Sequence, residues 1–263
     1  MSTLAGRVAV VTGASRGLGA AMARRFAAEG AAVAAVARTV DPDPKYVGCL
    51  RDTVDVIERT GGRAVAIRAD LALPEDRERL VAEATDQLGP IDILVNNAAV
   101  TYLDHVEKFS EKRFRLMVEV QLWAPFHLTQ LVLPGMYERG RGWILNISSR
   151  ASELAIGPPF DEVQTRGFSV YGMGKAGLNR MTNSLAAEAY DRGVRANTLA
   201  PLDNVATPGA GGHDLVDGFS LEDETVMAEA ALALCEGDLT GRIALSQDLL
   251  AELGRTATPL LTS

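Results

Sequence analysis

The chain alternates short, uninterrupted apolar runs with longer segments of helical periodicity, and this alternation restricts its fold more than any other feature. Apolar runs without alternating polar residues are typical of strands that are covered on both faces. Strands that alternate with helices favour a parallel sheet, and right-handed crossovers then place helices on both of its faces. The sequence therefore predicts a doubly wound α/β fold with about seven parallel strands.

The predicted strands and helices follow one another along the whole chain. The strands cover residues 7–11, 31–37, 63–68, 91–95, 143–147, 194–199 and 242–245, and the helices 17–29, 47–60, 74–88, 111–134, 169–191 and 222–235. No linker rich in Pro, Gly and Ser interrupts the 263 residues, and no internal repeat appears. We therefore expect a single Rossmann-type domain over residues 1–263.

Two irregular segments, at about residues 153–168 and 201–220, follow the fifth and sixth predicted strands. Ligands of open α/β sheets bind at the carboxyl ends of the strands, and long loops there are often functional. We expect these two segments to form substrate loops. The apolar side chains that they offer to a pocket are Leu154, Pro158, Phe160, Phe168 and Phe219.

A glycine-rich turn, "T-G-A-S-R-G-L-G" over residues 12–19, joins the first predicted strand to the first helix. Gly13 permits a tight turn, and Gly17 and Gly19 let the backbone approach a pyrophosphate. The N-terminus of the helix adds unpaired N–H groups and the positive end of its dipole. Three glycines alone also fit an ordinary turn, but their place between a first strand and a first helix favours a dinucleotide site.

The end of the second predicted strand indicates which dinucleotide is bound. A carboxylate there would bind the ribose 2′-hydroxyl of NAD and repel a 2′-phosphate, but Ala37 holds that position and Arg38 follows. Arg16, inside the glycine-rich turn, offers a second guanidinium to a 2′-phosphate. The alternative is that both are ordinary surface residues of an arginine-rich chain. We expect NADP(H) to be preferred over NAD(H).

Composition argues against several other classes of function. The net charge of −8 and the pI near 5.0 argue against nucleic acid as a partner. We expect neither a membrane span nor a signal peptide, because the N-terminal apolar run is short and strand-like. Two cysteines are too few for a disulfide framework, so a reducing cytoplasm is expected. Three isolated histidines form no metal-binding motif.

A tyrosine and a lysine four positions apart, Tyr171 and Lys175, lie on a predicted helix. This spacing brings two side chains together on one helical face. Lysine is scarce in this chain, at 4 residues against 22 arginines, so the pair is notable. A solvated helix face with a chance pair is the alternative. A free tyrosine has a pKa of about 10, and a neighbouring ammonium is expected to lower that pKa.

Several motifs, in the right order, resemble those of the short-chain dehydrogenase/reductase family in its compact single-domain branch. They are the glycine-rich turn, "A-D-L" over 69–71, "N-N-A-A" over 96–99, "N-I-S-S" over 146–149, the Tyr171–Lys175 pair and "A-P-L-D-N-V-A-T-P" over 200–208. The resemblance covers nearly the whole chain. It implies a cofactor site made of Gly13, Ser15, Arg16, Gly17, Leu18, Gly19, Arg38, Asp70, Leu71, Asn97, Ala98, Tyr171, Lys175, Pro201, Val205 and Thr207.

The resemblance also implies a catalytic role for four residues. Tyr171 protonates a carbonyl oxygen while NADPH delivers a hydride to the carbon, and it accepts the proton in the reverse direction. Lys175 supplies positive charge and holds the nicotinamide ribose, and Ser149 holds the substrate oxygen against the tyrosine. Gln121 stands where the family has an asparagine that helps to organise a water beside the lysine.

The chain departs from the family pattern in ways that bear on its chemistry. Gln121 carries its amide one methylene further out than asparagine, so we expect the proton relay to shift. Leu202 replaces the glycine after Pro201, which changes the edge of the nicotinamide site. Tyr171 lies 22 positions after Ser149, further than usual for the family. The missing Asp-Gly-Gly ending and the stretch "D-P-D-P-K" resemble hydroxysteroid-dehydrogenase-like members.

The leading hypothesis is an NADP(H)-dependent carbonyl reductase or alcohol dehydrogenase that acts on an apolar small molecule. One alternative is a non-catalytic dinucleotide-binding sensor or assembly subunit, which Gln121 and Leu202 favour. Another is a dehydratase or epimerase on a nucleotide-linked sugar, for which 263 residues leave little room. By resemblance, we expect a homodimer or homotetramer built through the helices at 111–134 and 169–191.

Overall fold

The computed structural model describes residues 2–44, 47–160, 165–202, 204–205 and 221–260. Its strands are β1 (Val8–Thr12), β2 (Ala32–Ala37), β3 (Arg63–Arg68), β4 (Ile93–Asn96), β5 (Gly142–Ile147), β6 (Val194–Ala200), β7 (Asn204–Val205), β8 (Leu221–Glu222) and β9 (Ile243–Leu245). Its α-helices are α1 (Gly17–Ala28), α2 (Leu50–Arg59), α3 (Pro74–Leu88), α4 (Glu111–Val118), α5 (Ala124–Arg139), α6 (Ser169–Ala189), α7 (Glu224–Glu236) and α8 (Ser246–Leu253). Within these ranges, no helix combines the length and the apolar character that a bilayer crossing requires.

Seven strands form one parallel sheet in the order β3-β2-β1-β4-β5-β6-β9. The chain first builds outward from β1 to β3 and then returns to the other side of β1 with β4. The crevice at such a switch point, at the carboxyl edge of the sheet, is where open α/β folds bind ligands. The predicted fold is confirmed. The short strands β7 and β8 form a separate parallel pair beyond the end of β6.

Alternate residues of a strand face two different layers of helices. On β1, Ala9 and Val11 belong to the apolar core shared with α1, α7 and α8. Val8 and Val10 belong to the core shared with α3, α5 and α6. Because both faces of β1 are buried, its residues must be apolar at consecutive positions, which is why the sequence shows no alternation there.

Several element boundaries differ from those predicted. α2 begins at Leu50 rather than at residue 47, because the Asp52 carboxylate accepts a hydrogen bond from the backbone amide of Cys49 at 2.9 Å and caps the helix. The predicted helix 111–134 contains a π-helical turn, Glu119–Trp123, between α4 and α5. Sequence analysis missed α8 and the β7–β8 pair, which are too short to carry a clear periodic signal.

Candidate active site

The glycine-rich turn between β1 and α1 leaves no room for side chains at two of its glycines. Gly13 has a φ of +69°, and a Cβ built there would lie 2.8 Å from Nδ2 of Asn97. A Cβ on Gly19 would overlap the carbonyl oxygen of Gly13 and lie 2.6 Å from the same amide nitrogen. Gly17 also has a positive φ, of +51°. The turn is thus a backbone cradle of the kind that holds a pyrophosphate at a helix N-terminus.

Hydrogen bonds join the cradle to the end of β4. The Thr12 hydroxyl donates to the Val95 carbonyl at 3.2 Å, and it accepts from the backbone amides of Asn97 at 3.0 Å and Ala98 at 3.1 Å. The Asn97 side chain donates to the Thr12 carbonyl at 2.8 Å. These contacts hold both sides of the switch-point crevice together. Sequence analysis missed Thr12, whose position one residue before Gly13 was the available signal.

The two arginines predicted to bind a 2′-phosphate lie at the same edge of the sheet. Arg38 is exposed directly after β2, and Arg16 precedes α1 and donates to the Val47 carbonyl at 3.1 Å. The first acidic residue after Arg38 is Asp41. Its carboxylate is paired with Arg51, whose Nε donates to it at 2.8 Å. Both residues of the predicted clamp therefore follow the ends of β1 and β2, where a carboxylate specific for NAD would otherwise stand.

The predicted adenine site lies at the end of β3. The Asp70 carboxylate accepts from the backbone amide of Ala72 at 3.0 Å, and the Asp70 amide donates to Asp76 at 2.7 Å. The neighbouring residue, Leu71, is buried in the core beside α3. Two other residues were predicted for the glycine-rich cradle. Ser15 is buried, and Leu18 of α1 packs against the apolar core.

Helix α6 brings Tyr171 and Lys175 to the end of β5. The Ser149 side chain lies beside the Tyr171 hydroxyl, and it accepts a hydrogen bond from the backbone amide of Ala151 at 3.2 Å. Lys175 is only 4% exposed, and its Nζ donates to the Ile147 carbonyl at 2.6 Å. The Lys175 Nζ lies 5.8 Å from the centroid of the Tyr171 ring. The three predicted catalytic residues thus form one cluster.

Two further features hold α6 against β5 and the turn that follows it, Arg150–Ser152. A Cβ on Gly172 would overlap the carbonyl oxygen of Ala151, so glycine is required for this contact. Deeper in the core, Asn96 donates to Asn146 at 2.8 Å, and Asn146 donates to Thr182 of α6 at 2.7 Å. This buried chain of amides ties β4, β5 and α6 together.

Burial shifts both titratable groups of the cluster away from their charged forms. It raises the pKa of Tyr171, while the nearby Ser149 hydroxyl acts in the opposite direction. It lowers the pKa of Lys175 from 10.5 to about 8. The expectation that the neighbouring ammonium lowers the pKa of Tyr171 is wrong for the ligand-free protein. Desolvation of the phenolate outweighs the stabilisation that the cluster offers to its negative charge.

The shifted pKa of Lys175 predicts a pH-dependent stability. Relative to a Lys175→Met variant, we expect the free energy of unfolding of the wild type to rise by up to about 3 kcal/mol between pH 8 and 10.5. In that window the unfolded chain keeps the proton that the folded protein has lost, so raising the pH favours the folded state. Denaturant unfolding of both proteins across this range measures the difference. A difference that stays constant with pH would contradict the buried lysine.

Gln121 lies inside the π-helical turn and is 2% exposed. Its Nε2 donates to the Val100 carbonyl at 2.6 Å, and among the described residues its buried Oε1 has no partner. The same Oε1 would lie 3.4 Å from a Cβ on Gly174, the residue before Lys175. An unpaired buried acceptor beside the lysine suits a bound water or a ligand hydroxyl.

The predicted substrate loops are only partly described. Leu154, Pro158 and Phe160 are exposed, and the Phe168 ring lies 6.4 Å from the Tyr171 ring at an interplanar angle of 53°. Of the second loop, Pro201 is half-buried, Val205 is described only through the backbone of β7, and Thr207 and Phe219 lie outside the described residues. Of the four predicted pocket residues that the structure describes, Phe168 lies against the cluster of Ser149, Tyr171 and Lys175.

A buried glutamate that sequence analysis missed holds the base of the second loop. Glu222 is 5% exposed, and its carboxylate accepts from the backbone amide of Leu202 at 3.1 Å, Ser246 Oγ at 2.5 Å and Gln247 Nε2 at 3.0 Å. These contacts position Leu202, the neighbour of Pro201. No local signal identified Glu222, because it stands in an acidic stretch that is typical of a solvated surface.

Comparison with known proteins agrees with this geometry. Residues 7–210 match the short chain dehydrogenase family. The ketoacyl reductase HetN of Nostoc sp. is 35% identical over 201 residues, or 76% of this chain and 64% of that protein, so the match spans just under two thirds of its length. The short-chain reductase protein NovJ of Streptomyces niveus is 34% identical over 252 residues, which cover 96% of this chain and 87% of that protein.

A solved structure from Beutenbergia cavernae, provisionally described as an NAD(P) dependent gluconate 5-dehydrogenase with bound NADP, superimposes with a TM-score of 0.80 at 28% identity. The superposition covers 95% of this chain and all of that one. These matches extend over most of the chain. They agree with the parallel sheet, the glycine cradle at its switch point and the Ser149–Tyr171–Lys175 cluster. The chain belongs to the short-chain dehydrogenase family of NAD(P)-dependent oxidoreductases.

Proposed function

We propose that this protein is an NADP(H)-dependent oxidoreductase that transfers a hydride between nicotinamide and a ketone, aldehyde or secondary alcohol of an apolar small molecule. The observation that carries the proposal is the cluster of Ser149, Tyr171 and the buried Lys175, at the same sheet edge as the glycine cradle. A name such as ketoacyl reductase, borne by a relative, is in keeping with a carbonyl substrate.

The dinucleotide, when bound, supplies or accepts the hydride, and the residues of this chain manage the proton and the substrate oxygen. Ser149 donates to that oxygen and aligns it with the Tyr171 hydroxyl. Burial raises the pKa of Tyr171, so the phenol keeps its proton until negative charge develops on the substrate oxygen, as suits an acid in the reductive direction. In the oxidative direction a cationic nicotinamide would favour the phenolate.

Lys175 and Gln121 complete the proposed proton route. The pKa of Lys175, at about 8, lies close enough to neutrality for its ammonium to give and regain a proton. The unpaired Oε1 of Gln121 lies beside the helix turn that carries Lys175, where it can hold a water in the relay. The longer glutamine side chain thus offers the oxygen that the family's asparagine would provide.

The preference for NADP(H) is proposed from Arg16 and Arg38, and the NADP in a related structure supports it. We expect Arg38→Ala or Arg16→Ala to weaken NADPH binding by about 10- to 100-fold, because each lost charge-assisted hydrogen bond is worth about 1.5–3 kcal/mol. NADH binding should change by less than about twofold, since it lacks the 2′-phosphate. Thermal stabilisation by each cofactor measures both affinities.

Arg59→Ala is the matched control for this experiment, because Arg59 is an exposed arginine of α2 whose Nε donates only to the nearby Asp55 carbonyl among the described contacts. Equal or stronger stabilisation of the wild type by NADH would disprove the 2′-phosphate clamp and leave the fold intact. Stabilisation by NADPH without turnover of any carbonyl substrate would favour the second candidate function, a non-catalytic dinucleotide-binding sensor or assembly subunit. The glutamine at position 121, in place of the family's asparagine, favours that candidate.

We further propose that the chain acts as one domain over residues 1–263, in the cytoplasm and as a homodimer or homotetramer. Its two cysteines are free and buried, in keeping with a reducing compartment. The proposed interface helices, α5 and α6, with the π-helical turn, expose the large apolar side chains Trp123, Phe126 and Met173. The Trp123 and Phe126 rings stack with centroids 5.4 Å apart, so they present a flat aromatic surface to a second copy.

A further inference from the structure

Arg77, near the start of α3, is a charged side chain with no exposed surface. Its Nε and Nη2 are buried, and neither has a hydrogen-bond partner among the described residues. A buried charge is costly, and an apolar side chain of similar volume often serves stability equally well. A role in stability alone therefore does not explain why an arginine stands here.

The third nitrogen of Arg77, Nη1, joins two separate segments of the proposed active site. It donates to the Leu71 carbonyl at 3.0 Å and to Oε1 of Glu119 at 2.6 Å. Leu71 directly follows Asp70 in the proposed adenine site at the end of β3. Glu119 is the first residue of the π-helical turn between α4 and α5.

The position of Glu119 determines the course of the π-helical turn. Its carbonyl accepts the hydrogen bond from the backbone amide of Ala124, five residues later, which defines the wider turn. Gln121 lies two residues after Glu119 and points its amide between Val100 and the Gly174 turn of α6. A displacement of Glu119 would therefore move Gln121 relative to Lys175.

We propose that Arg77 is a positioning residue that couples the adenine end of the dinucleotide site to the π-helical turn that carries Gln121. This inference rests on the proposed function, because it takes the dinucleotide to bind at Asp70 and Leu71. Binding there restrains the Leu71 carbonyl, and the shared guanidinium passes this restraint to Glu119. The cofactor then sets the geometry of the proton route at a distance from its own reacting ring.

Hydrogen exchange tests the coupling without any need for turnover. NADPH added to the wild type should slow amide exchange in residues 13–19, which it contacts directly, and in residues 119–124. In Arg77→Met the protection of 13–19 should remain, and that of 119–124 should disappear. The matched control is Arg115→Met. Arg115 also forms an ion pair, with Glu111 of α4 at 2.7 Å, but both of these side chains are exposed. It should behave as the wild type does.

A double-mutant cycle tests the consequence for the reaction. We expect Arg77→Met to lower kcat by about tenfold in the wild-type background and by less than about twofold in a Gln121→Ala background. The substrate KM should change little in either. Arg77→Lys, which keeps the charge but only one donor group, should recover part of kcat. If Arg77→Met fails to fold, Glu119→Met removes the acceptor of the same connection at a side chain that is one third exposed.

The outcomes separate this inference from the function on which it rests. NADPH binding that protects 13–19 but never 119–124 in the wild type, or additive losses in the cycle, would overturn the coupling and leave the oxidoreductase intact. Failure of the wild type to bind NADPH at all would overturn the proposed function and the coupling with it. If NADPH protects residues 119–124 but no carbonyl substrate is turned over, the coupling stands and the protein acts as a dinucleotide sensor.

Discussion

Replacement of Tyr171 by phenylalanine is expected to lower kcat by about 10³-fold, within the range that general acid–base catalysis contributes. The substitution removes only the phenolic oxygen that lies beside Ser149. The ring keeps its place against Phe168 and beside Lys175, so NADPH affinity should fall far less than kcat does. Steady-state kinetics on a good ketone substrate and NADPH titration measure the two effects.

Tyr190→Phe is the matched control for this variant. Tyr190 follows the same helix, α6, is 55% exposed, and carries the same hydroxyl far along the chain from the cluster. It should retain full activity. Retention of full activity by Tyr171→Phe would exclude Tyr171 as the acid, and with it the proposed mechanism. A loss of NADPH binding in Tyr171→Phe would instead show that the hydroxyl serves the cofactor rather than the proton.

Gly19→Ala is expected to weaken NADPH binding by up to about 150-fold, because overpacking against backbone typically costs about 1–3 kcal/mol and here distorts the phosphate cradle itself. The added Cβ would overlap the Gly13 carbonyl oxygen and lie 2.6 Å from Nδ2 of Asn97. Neither neighbour can yield easily, since Asn97 holds the end of β4 to Thr12. The thermal unfolding midpoint with and without NADPH measures the loss.

Gly237→Ala is the matched control, because it adds the same Cβ atom at a position where there is open space. Gly237 follows α7 with a φ of −121°, and a Cβ there would have no neighbour within 4 Å among the described residues. This variant should keep both the unfolding midpoint and the NADPH affinity of the wild type. Normal NADPH binding by Gly19→Ala would mean that the turn does not hold the pyrophosphate.

The sequence alone predicted the features of this protein that depend on local patterns. Continuous apolar runs predicted the parallel sheet, because strands that are buried on both faces need apolar residues at consecutive positions. The glycines at 13 and 19 predicted the cradle, because no other residue fits where backbones approach so closely. The spacing of Tyr171 and Lys175 predicted their meeting on one face of a helix, which needs no knowledge of the sheet.

Contacts between distant segments decided the rest. Glu222 and Arg77 look like ordinary charged surface residues in sequence, and only the packing of β8 against α8 and of α3 against the π-helical turn buries them. The pKa of Tyr171 moved in the direction opposite to the one expected, because the neighbouring lysine was visible in the sequence and the desolvation was not. Desolvation depends on everything that surrounds a side chain, and a local pattern contains only its nearest neighbours along the chain.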